Sequence, residues 1–500
     1  MVQPARESSI LKRMAFWRPS RDLPWILGLA FALRFFHSDA PLLGTNSWRQ
    51  CDNATVARNY AERGYRFLRP EVSWGGTGGV VQMEFPAYQY AVALLYRVAG
   101  ERDWLGRWVS IICSLVSILF FHELVARAAG ARVASWAAFF FAIAPLNIYY
   151  GRAFMVESPM FLSLIIGVWA FDRWLDRWRA RYFWVASLAI AMGCLLKIVS
   201  LYIGLPLVWL AWRRCGARVF RRPALWAMAA LVVIPVIAWY SWSGILLAES
   251  GRSLMGDWRY GTDKWGDWRL AASLGFWNRI LFERVAGKHL TWAGFVIFAW
   301  GFLLRRRRHE ALFDAWLVAV LVATVIVSRG CWVHEHYQLM FVPPAAVMMG
   351  RAFARNYRQK VWRSLRAMTA AFLLVGLSVL AGWRYLQVSS LEAPEDSITW
   401  RLAVMIREHT EPGALVVCAD AGDPTALYHA RRRGWNVTVD DLAAGGNMFL
   451  KKLAGGGAEY LAARHDGFMN PDRTVLVRSL VQDHKVVAED GATFIVRLGR

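Results

Sequence analysis

The sequence predicts an α-helical polytopic membrane protein that ends in a small α/β domain. Of its 500 residues, 57% are hydrophobic and only 19% are charged, whereas soluble chains carry about 25% charged residues. The chain therefore has too little polar surface for a water-soluble particle of this size. Its net charge of +23 comes from basic residues that cluster between apolar segments. This placement is typical of cytoplasmic loops and of contact with anionic lipid, and it argues against nucleic-acid binding.

The first segment predicts an uncleaved membrane anchor. Residues 1–22 are basic, and the apolar run 23–36 follows them. This order resembles a signal peptide, but no small-residue cleavage site follows and many further apolar segments come later. We therefore expect residues 1–22 to be a cytoplasmic tail.

About eleven apolar segments predict membrane spans, each of which needs roughly 20 residues. They lie at 23–37, 104–126, 133–150, 159–175, 183–199, 201–212, 224–247, 290–304, 311–328, 338–353 and 366–386. With a cytoplasmic N-terminus, the basic connections between them fall on the cytoplasmic side, as the positive-inside rule requires. Residues 23–386 then form the membrane domain, and the C-terminus lies outside.

The same topology leaves longer segments on the outer side. They are 38–103, 151–158, 248–289 and 329–337. Residues 387–500 change character, since they are charged and alternate short elements. The pattern predicts buried strands at Leu415–Ala419 and 493–496 and a helix at 424–433. We expect a small extracytoplasmic, periplasmic α/β domain there.

The first outer segment holds two carboxylates that could carry chemistry. Asp52 and Arg58 lie in a polar, helix-like stretch, and Glu84 follows a glycine-rich turn. The apolar run 87–98 is too short to require a crossing and should lie in the membrane interface. Two carboxylates before helices suit the binding of a polar headgroup. The alternative is that Asp52 only caps a helix and Glu84 is solvated.

Further charged residues lie at the predicted span ends. Arg152 and Glu157 belong to the second outer segment, where an acid at a membrane boundary is costly unless it is paired or functional. Glu157 could equally be an ordinary acid in the first turn of its helix. Lys197 near a hairpin and His289 at a span entrance are candidate partners for a phosphate, or anchors that snorkel to the interface.

Two aromatic and histidine-rich motifs also face outward. His334, His336 and Tyr337 end an outward span, but the HxH spacing lacks the HExxH register of zinc proteases. Phosphate contact or packing against interfacial tryptophans is favoured. A divalent metal stays open, with Glu84 and His289 as weak candidate ligands. Trp258 and Trp265 alternate with acids and bases, a composition that suits sugar rings or an ordinary interfacial aromatic belt.

Taken in order, WRQCD, EFP, the RxxxxES turn and HEHYQ resemble the GT-C superfamily of membrane glycosyltransferases. Within it, the chain is similar to bacterial protein O-mannosyltransferases and lipid A aminoarabinose transferases, over about residues 23–386. The resemblance implies a polyprenyl-phosphate-linked sugar donor, chemistry on the outer face, and a catalytic base in the first loop, which maps onto Asp52. Glu84 is then the second acid of that loop and Glu157 the acid after the third span.

The chain departs from that pattern at two positions. It has Asp52-Asn53 and Glu84-Phe85-Pro86, where many relatives carry two adjacent acids or Glu-Lys-Pro. The WWDYG motif of oligosaccharyltransferases is absent from the sequence.

The residues and the resemblance predict sugar transfer to a hydroxyl of a lipid, glycan or protein at a bacterial inner membrane. One base suffices for a single displacement that inverts the anomeric centre. The phosphate leaving group needs its charge stabilised. The candidates are Arg58, Arg152, Lys197, His334 and His336, with Arg152 and His336 foremost.

Two other functions are weighed against this one. A transporter or flippase of a lipid-linked headgroup would concentrate ionisable residues near the membrane midplane, whereas here they gather at one face. The C-terminal domain could instead be a sensor or binding module that the membrane part anchors. We expect it to be accessory to the glycosyltransferase.

Overall fold

The computed structural model describes residues 20–255, 264–306, 309–356, 369–370, 372–381, 394–465, 479 and 483–499. Helices make up most of the first 381 residues within this described part, and a five-stranded sheet follows near the C-terminus. The predicted combination of a helical membrane part and a small α/β domain is therefore present.

The helices are numbered in chain order. They are α1 Leu23–Phe35, α2 Ser47–Arg63, α3 Ala87–Ala99, α4 Asp103–Ala129, α5 Ala131–Ile143, α6 Pro145–Tyr150, α7 Glu157–Arg177, α8 Ala180–Leu196, α9 Gly204–Cys215, α10 Pro223–Ser250, α11 Trp268–Ala272, α12 Leu274–Trp277, α13 Thr291–Leu303, α14 Ala311–Ile326, α15 Ser328–Val333, α16 Val342–Asn356 and α17 Phe372–Ala381. Tighter 3₁₀ turns occupy Ile198–Ile203, Gly216–Arg221 and Glu335–Phe341, and a π-helix occupies Asn278–His289.

Three helical stretches in the described residues are long and apolar enough to cross a membrane. They are Asp103–Ala129, Ile198–Arg221 and Pro223–Ser250. Six shorter apolar helices accompany them, at Leu23–Phe35, Ala131–Ile143, Ala180–Leu196, Thr291–Leu303, Ala311–Ile326 and Phe372–Ala381. The total of about eleven spans stays a prediction.

The segment predicted as one span at 133–150 forms two helices, α5 and α6. Pro145 begins the second helix, and Ala144 before it is extended, because proline disfavours the helical conformation in the preceding residue. Fully buried Arg34 from α1 donates hydrogen bonds to the carbonyls of Ala142 and Asn147, at 3.0 and 3.1 Å. The backbone carbonyls on both sides of the helix break therefore accept hydrogen bonds from a buried guanidinium.

Helices α7 and α8 pack closely because glycines line their contact. A Cβ atom on Gly167 would lie 2.6 Å from Ile190, and one on Gly193 would lie 2.6 Å from Leu164. This close packing brings the first residue of α7 and the residue after α8 to the same end of the bundle.

The C-terminal domain is a sheet with helices on both faces. Its strands are β1 Leu415–Ala419, β2 Arg433–Asn436, β3 Ala458–Arg464, β4 Lys485–Glu489 and β5 Thr493–Arg497, in the order β2-β1-β3-β5-β4. Strand β1 runs parallel to β2 and β3, whereas β5 is antiparallel to β3 and β4. Helices α18 Ile398–His409 and α19 Thr425–Ala430 pack on one face and α20 Val439–Gly455 on the other.

The predicted helix at 424–433 is shorter in the structure. It ends at Ala430, because Arg431 takes a left-handed conformation with φ +54°, and the chain continues into β2 at Arg433. The two predicted strands are present as β1 and β5.

The segment between α2 and α3 is joined to this sheet by backbone hydrogen bonds. Gly76 N–H donates to the Gly434 carbonyl at 2.7 Å, and Gly434 N–H donates to the Ser73 carbonyl at 2.9 Å. Gly76 has φ +67°, and a Cβ there would lie 2.7 Å from the Trp435 ring. The C-terminal domain is therefore docked directly on the loop that carries Trp74 and Glu84.

Candidate active site

Helix α2 is polar in sequence yet its middle is buried. Residues 49–60 all have little solvent exposure. A buried polar group is stable only when it has partners, and these are supplied from several elements. Gln50 donates to the Tyr149 hydroxyl, and Asn53 donates to the Phe154 carbonyl. The helix thus forms the centre of a polar cluster at one end of the bundle, called here the site end.

Asp52 is the buried carboxylate of this helix. It is only 3% exposed, and its Oδ1 accepts a hydrogen bond from Nε1 of Trp74 at 2.9 Å. Burial raises the pKa of Asp52 to about 7, against the opposing effects of the Trp74 hydrogen bond and the Arg49 charge. A carboxylate that titrates near neutral pH can take up a proton during a reaction.

Glu84 forms a buried ion pair with Arg49. The distance between Arg49 Nη2 and Glu84 Oε2 is 2.5 Å. Burial opposes ionisation of Glu84, but the charges of Arg49, Lys264 and Lys197 together lower its pKa. The neighbouring carbonyl of Met83 accepts from Trp239 Nε1 and Ser243 Oγ of α10. Glu84 is therefore held as an anion among cations.

Glu157 and Lys197 form a second buried ion pair. Lys197 Nζ lies 2.5 Å from Glu157 Oε1. Glu157 begins α7 and Lys197 follows α8, so the close packing of these two helices brings them together. Within the described part of the chain, Oε2 of Glu157 has no hydrogen-bond partner. The ammonium of Lys197 also lies 5.5 Å from the ring centre of Tyr337.

The predicted histidine motif lies beside these ion pairs. The rings of His334 and His336 are 5.2 Å apart, and those of His336 and Tyr337 are 5.0 Å apart. Burial, followed by the charges of Lys264 and Lys197, lowers the pKa of His334 to about 4. The pKa of His336 is lowered well below its ordinary value, by burial and by Lys197. Both imidazoles are therefore neutral at pH 7 and act as hydrogen-bonding groups.

Lys264 was not selected from the sequence, although it lies in the Asp263-Lys264-Trp265 motif. Burial lowers its pKa to about 8, with Glu84 opposing this shift. The Lys264 carbonyl accepts from Gly330 N–H at 3.3 Å, which ties it to the histidine motif. The sequence signal for Lys264 is its position among several tryptophans of the third outer segment, which by themselves suggest only sugar binding or an interfacial aromatic belt.

Two predicted arginines make their hydrogen bonds away from this group. Arg58 pairs with Glu101 at 2.6 Å and lies 4.2 Å from the ring centre of Tyr428. Arg152 donates to the carbonyls of Phe36 and His37. The structure therefore places Arg58 at the contact with the C-terminal domain and Arg152 at the end of α1.

Three predicted residues remain, His289, Trp258 and Trp265. His289 is buried, with Nε2 3.0 Å from the Glu335 carbonyl, and burial lowers its pKa to about 4. Trp265 is exposed, and Trp258 lies outside the described residues. Among the residues that the structure describes, no three His, Cys, Asp or Glu side chains come together to hold a metal ion. A divalent metal with Glu84 and His289 among its ligands stays a prediction.

Comparison with known proteins identifies the fold. Residues 84–242 match the family model of dolichyl-phosphate-mannose-protein mannosyltransferases. The structure is similar to that of ArnT from Cupriavidus metallidurans bound to undecaprenyl phosphate, with 15% identity, a TM-score of 0.63, and coverage of 96% of this chain and 98% of that one. Its fold is that of the GT-C glycosyltransferases. No curated protein matches the chain by sequence.

Other GT-C structures support the same conclusion. The Archaeoglobus fulgidus oligosaccharyltransferase, in complex with Zn and sulfate, matches with 14% identity, a TM-score of 0.61, and coverage of 89% of this chain and 68% of that one. Mycobacterial arabinofuranosyltransferase AftD matches with 14% identity, a TM-score of 0.54, and coverage of 97% and 42%. The resemblance read from the sequence motifs is confirmed at the level of the fold, and three helices of the described residues are long and apolar enough to cross a membrane.

The C-terminal domain borders the site. The turn after β1 brings Asp423 close enough for its charge to raise the pKa of Asp52 further. Burial raises the pKa of Asp423 itself to about 6. Trp74 contributes to the apolar core of the C-terminal domain while its indole N–H contacts Asp52. Sequence reasoning missed both residues, because neither contact is local in the chain.

Proposed function

We propose that this protein transfers a sugar from a polyprenyl-phosphate-linked donor to an acceptor hydroxyl at the site end of the membrane domain. The observation that carries the proposal is buried Asp52, with a pKa of about 7, near Arg49, which belongs to the group of cations around Glu84. The similarity to ArnT bound to undecaprenyl phosphate, and to archaeal AglB in complex with dolichol phosphate, supports a lipid phosphate as the donor's leaving group.

Asp52 is the proposed general base. Its Oδ1 is occupied by Trp74, and no hydrogen bond from the described residues reaches Oδ2. The acceptor oxygen attacks the anomeric carbon, the bond from that carbon to the phosphate oxygen breaks, and the hydroxyl proton passes to Oδ2. One displacement inverts the anomeric centre, and no second carboxylate has to act as a nucleophile.

The leaving phosphate gains negative charge, which cations must stabilise. Lys197 and Lys264 are the proposed phosphate contacts, and the Glu84 carboxylate, paired with Arg49, stabilises these two cations through its charge. Arg49 lies three residues before Asp52 on α2, so the two side chains share a face with Cβ atoms roughly 5–6 Å apart. The short distance between Arg49 and Asp52 suits a sugar that lies between the phosphate site, near Arg49, and the base, Asp52.

Neutral His334 and His336 supplement the lysines as hydrogen-bond donors to the phosphate or sugar. An uncharged imidazole beside two lysines adds a donor without adding repulsion between cations. Tyr337 lies beside His336 and contributes to the same surface. Trp265 is the candidate for contact with the sugar or acceptor. Arg58 and Arg152 are assigned positioning roles, since their guanidinium groups already bind protein oxygens.

The decisive experiment measures transfer of radiolabelled sugar from a panel of polyprenyl-phosphate donors in membranes that contain the full chain. Asp52→Asn is compared with Glu249→Gln, which removes an exposed carboxylate that pairs with Arg69. We expect Asp52→Asn to lower transfer by about 10²–10⁴-fold, the usual contribution of a general base, and Glu249→Gln to transfer normally.

Either of two results would overturn the proposal. Native-level transfer by Asp52→Asn would remove the base assignment and leave Glu84 or Glu157 to be tested. If the native chain bound these donors without transferring sugar from any of them, the protein would be a carrier of lipid-linked headgroups.

A further inference from the structure

A large cavity lies at the end of the bundle opposite the candidate active site. Its volume is about 1390 Å³, and its walls come mainly from α4, α7, α8 and α9. Helix α7 begins at Glu157 in the candidate site, and Arg173 of the cavity follows 16 residues later along the same helix. At 1.5 Å per residue this separates the two sites by roughly 24 Å.

The cavity is lined by seven arginines and three carboxylates. The carboxylates are already neutralised, since Arg127 and Arg214 pair with both Asp172 and Asp176. Arg173 pairs with Glu123. Among the described residues, the other four lining arginines have no carboxylate within ion-pair distance; they are Arg177, Arg179, Arg181 and Arg213. The cavity therefore carries an unbalanced positive charge.

Two hydrogen-bond donors in the wall lack acceptors within the described part of the chain. They are Nε of Arg173, a residue that is 7% exposed, and Nε1 of Trp169. Both residues line the cavity. A buried donor without an acceptor is costly, so this wall is suited to a ligand that brings anionic oxygens.

The rest of the lining is apolar. Leu119, Phe120, Val185, Leu210 and Leu312 face the same space. A cavity of this volume exceeds the roughly 300–1,000 Å³ of usual small-molecule pockets, and it combines apolar walls with arginines. Basic pockets between membrane helices bind the headgroups of anionic lipids, and arginine is well suited to phosphate recognition.

We propose that this cavity binds an anionic phospholipid, with its phosphate on the arginines and its acyl chains along the apolar wall. The site is separate from the one that holds the donor's phosphate, and it needs no assumption about the reaction. The lipid supplies acceptors to Arg173 and Trp169 and offsets part of the positive charge of the arginines that have no carboxylate partner.

The test is binding of phosphatidylglycerol to the purified full chain in detergent, measured by native mass spectrometry. Arg177→Gln/Arg213→Gln removes two unpaired lining arginines. Arg218→Gln/Arg221→Gln removes the same charge from the exposed 3₁₀ turn that follows α9, outside the cavity lining. At about 1 kcal/mol per basic residue near anionic lipid, we expect the first pair to weaken binding about 30-fold and the second to leave it nearly unchanged.

Further variants and competing ligands identify the chemical class of the bound molecule. Arg177→Lys/Arg213→Lys keeps the charge and should restore most of the binding, which also controls for misfolding. Equal binding of zwitterionic phosphatidylcholine, or equal loss in both glutamine pairs, would overturn the proposal. Displacement of the lipid by an equal concentration of inorganic phosphate would overturn the assignment to a lipid.

Discussion

The indole Nε1 of Trp74 donates a 2.9 Å hydrogen bond to Oδ1 of Asp52. The same tryptophan packs against an apolar core cluster of the C-terminal domain. The docking of that domain therefore fixes one oxygen of the proposed base. The C-terminal domain, which the sequence predicts to be accessory, is therefore connected to Asp52 through Trp74.

Replacing Trp74 by Phe should shift the pH dependence of sugar transfer. The indole hydrogen bond lowers the pKa of Asp52, so its loss lets that pKa rise, and a base is active only when ionised. We expect the acid limb of the kcat/KM profile to move to higher pH by about one unit, from a hydrogen bond to a charged group of about 1.5 kcal/mol. Phenylalanine keeps most of the packing. An unmoved acid limb, with transfer merely slowed at every pH, would assign Trp74 a purely structural role.

Asp52→Asn should stabilise the protein at alkaline pH while it strongly lowers transfer. Burial raises the folded-state pKa of Asp52 above its unfolded value of 3.8, so this group's favourable contribution is fully present near pH 3.8 and is lost as the pH rises through about 7. Asparagine removes that dependence. We expect a higher Tm than native at pH 8 and a smaller difference at pH 4.5, measured by thermal unfolding in one detergent. A Tm difference that does not vary with pH would contradict the pKa assignment.

The Glu157–Lys197 pair allows stability to be separated from function. Lys197→Met leaves Glu157, which is 2% exposed, as an unpaired buried acid, and breaking such a pair typically costs about 3–5 kcal/mol. The double variant Glu157→Leu/Lys197→Met replaces both charges by apolar groups and should recover most of the lost Tm. Because Lys197 is also a proposed phosphate contact, both variants should show a raised KM for the polyprenyl-phosphate donor. Recovery of native KM in the double variant would show that Lys197 acts only on stability.

Docking of the C-terminal domain should depend strongly on Arg58. This buried guanidinium pairs with Glu101 and donates to the Tyr428 carbonyl at 3.1 Å. Exposed Arg431 pairs with the same glutamate at 2.6 Å. Arg58→Met should speed hydrogen exchange in Ser73–Gly76 and in β2, at a cost of about 3–5 kcal/mol for a broken buried pair. Arg431→Gln should cost only about 0–1 kcal/mol, as for surface pairs. Equal exchange in the two variants would show that the backbone hydrogen bonds at Gly434 hold the domain by themselves.

Much of the fold follows from local patterns. Apolar length predicts the helices of the membrane domain, and alternating short elements predict β1 and β5. At 133–150 one proline divides the apolar run into α5 and α6, a break that apolar length does not predict. Hydropathy is averaged over a whole segment, whereas a helix can end at one residue. Here it ends before Pro145, which has no backbone N–H to donate.

The sequence by itself determined the membrane class, the GT-C resemblance and the choice of Asp52, Glu84 and Glu157 as acids of interest. Only the tertiary structure decided their partners. It pairs Glu84 with Arg49 and Glu157 with Lys197, adds Lys264, and places Arg58 and Arg152 against other protein groups. The physical reason is that an ion pair or a shifted pKa depends on distance and burial. Both are set by packing between residues far apart in the chain, such as Asp52 and Asp423, which no local pattern encodes.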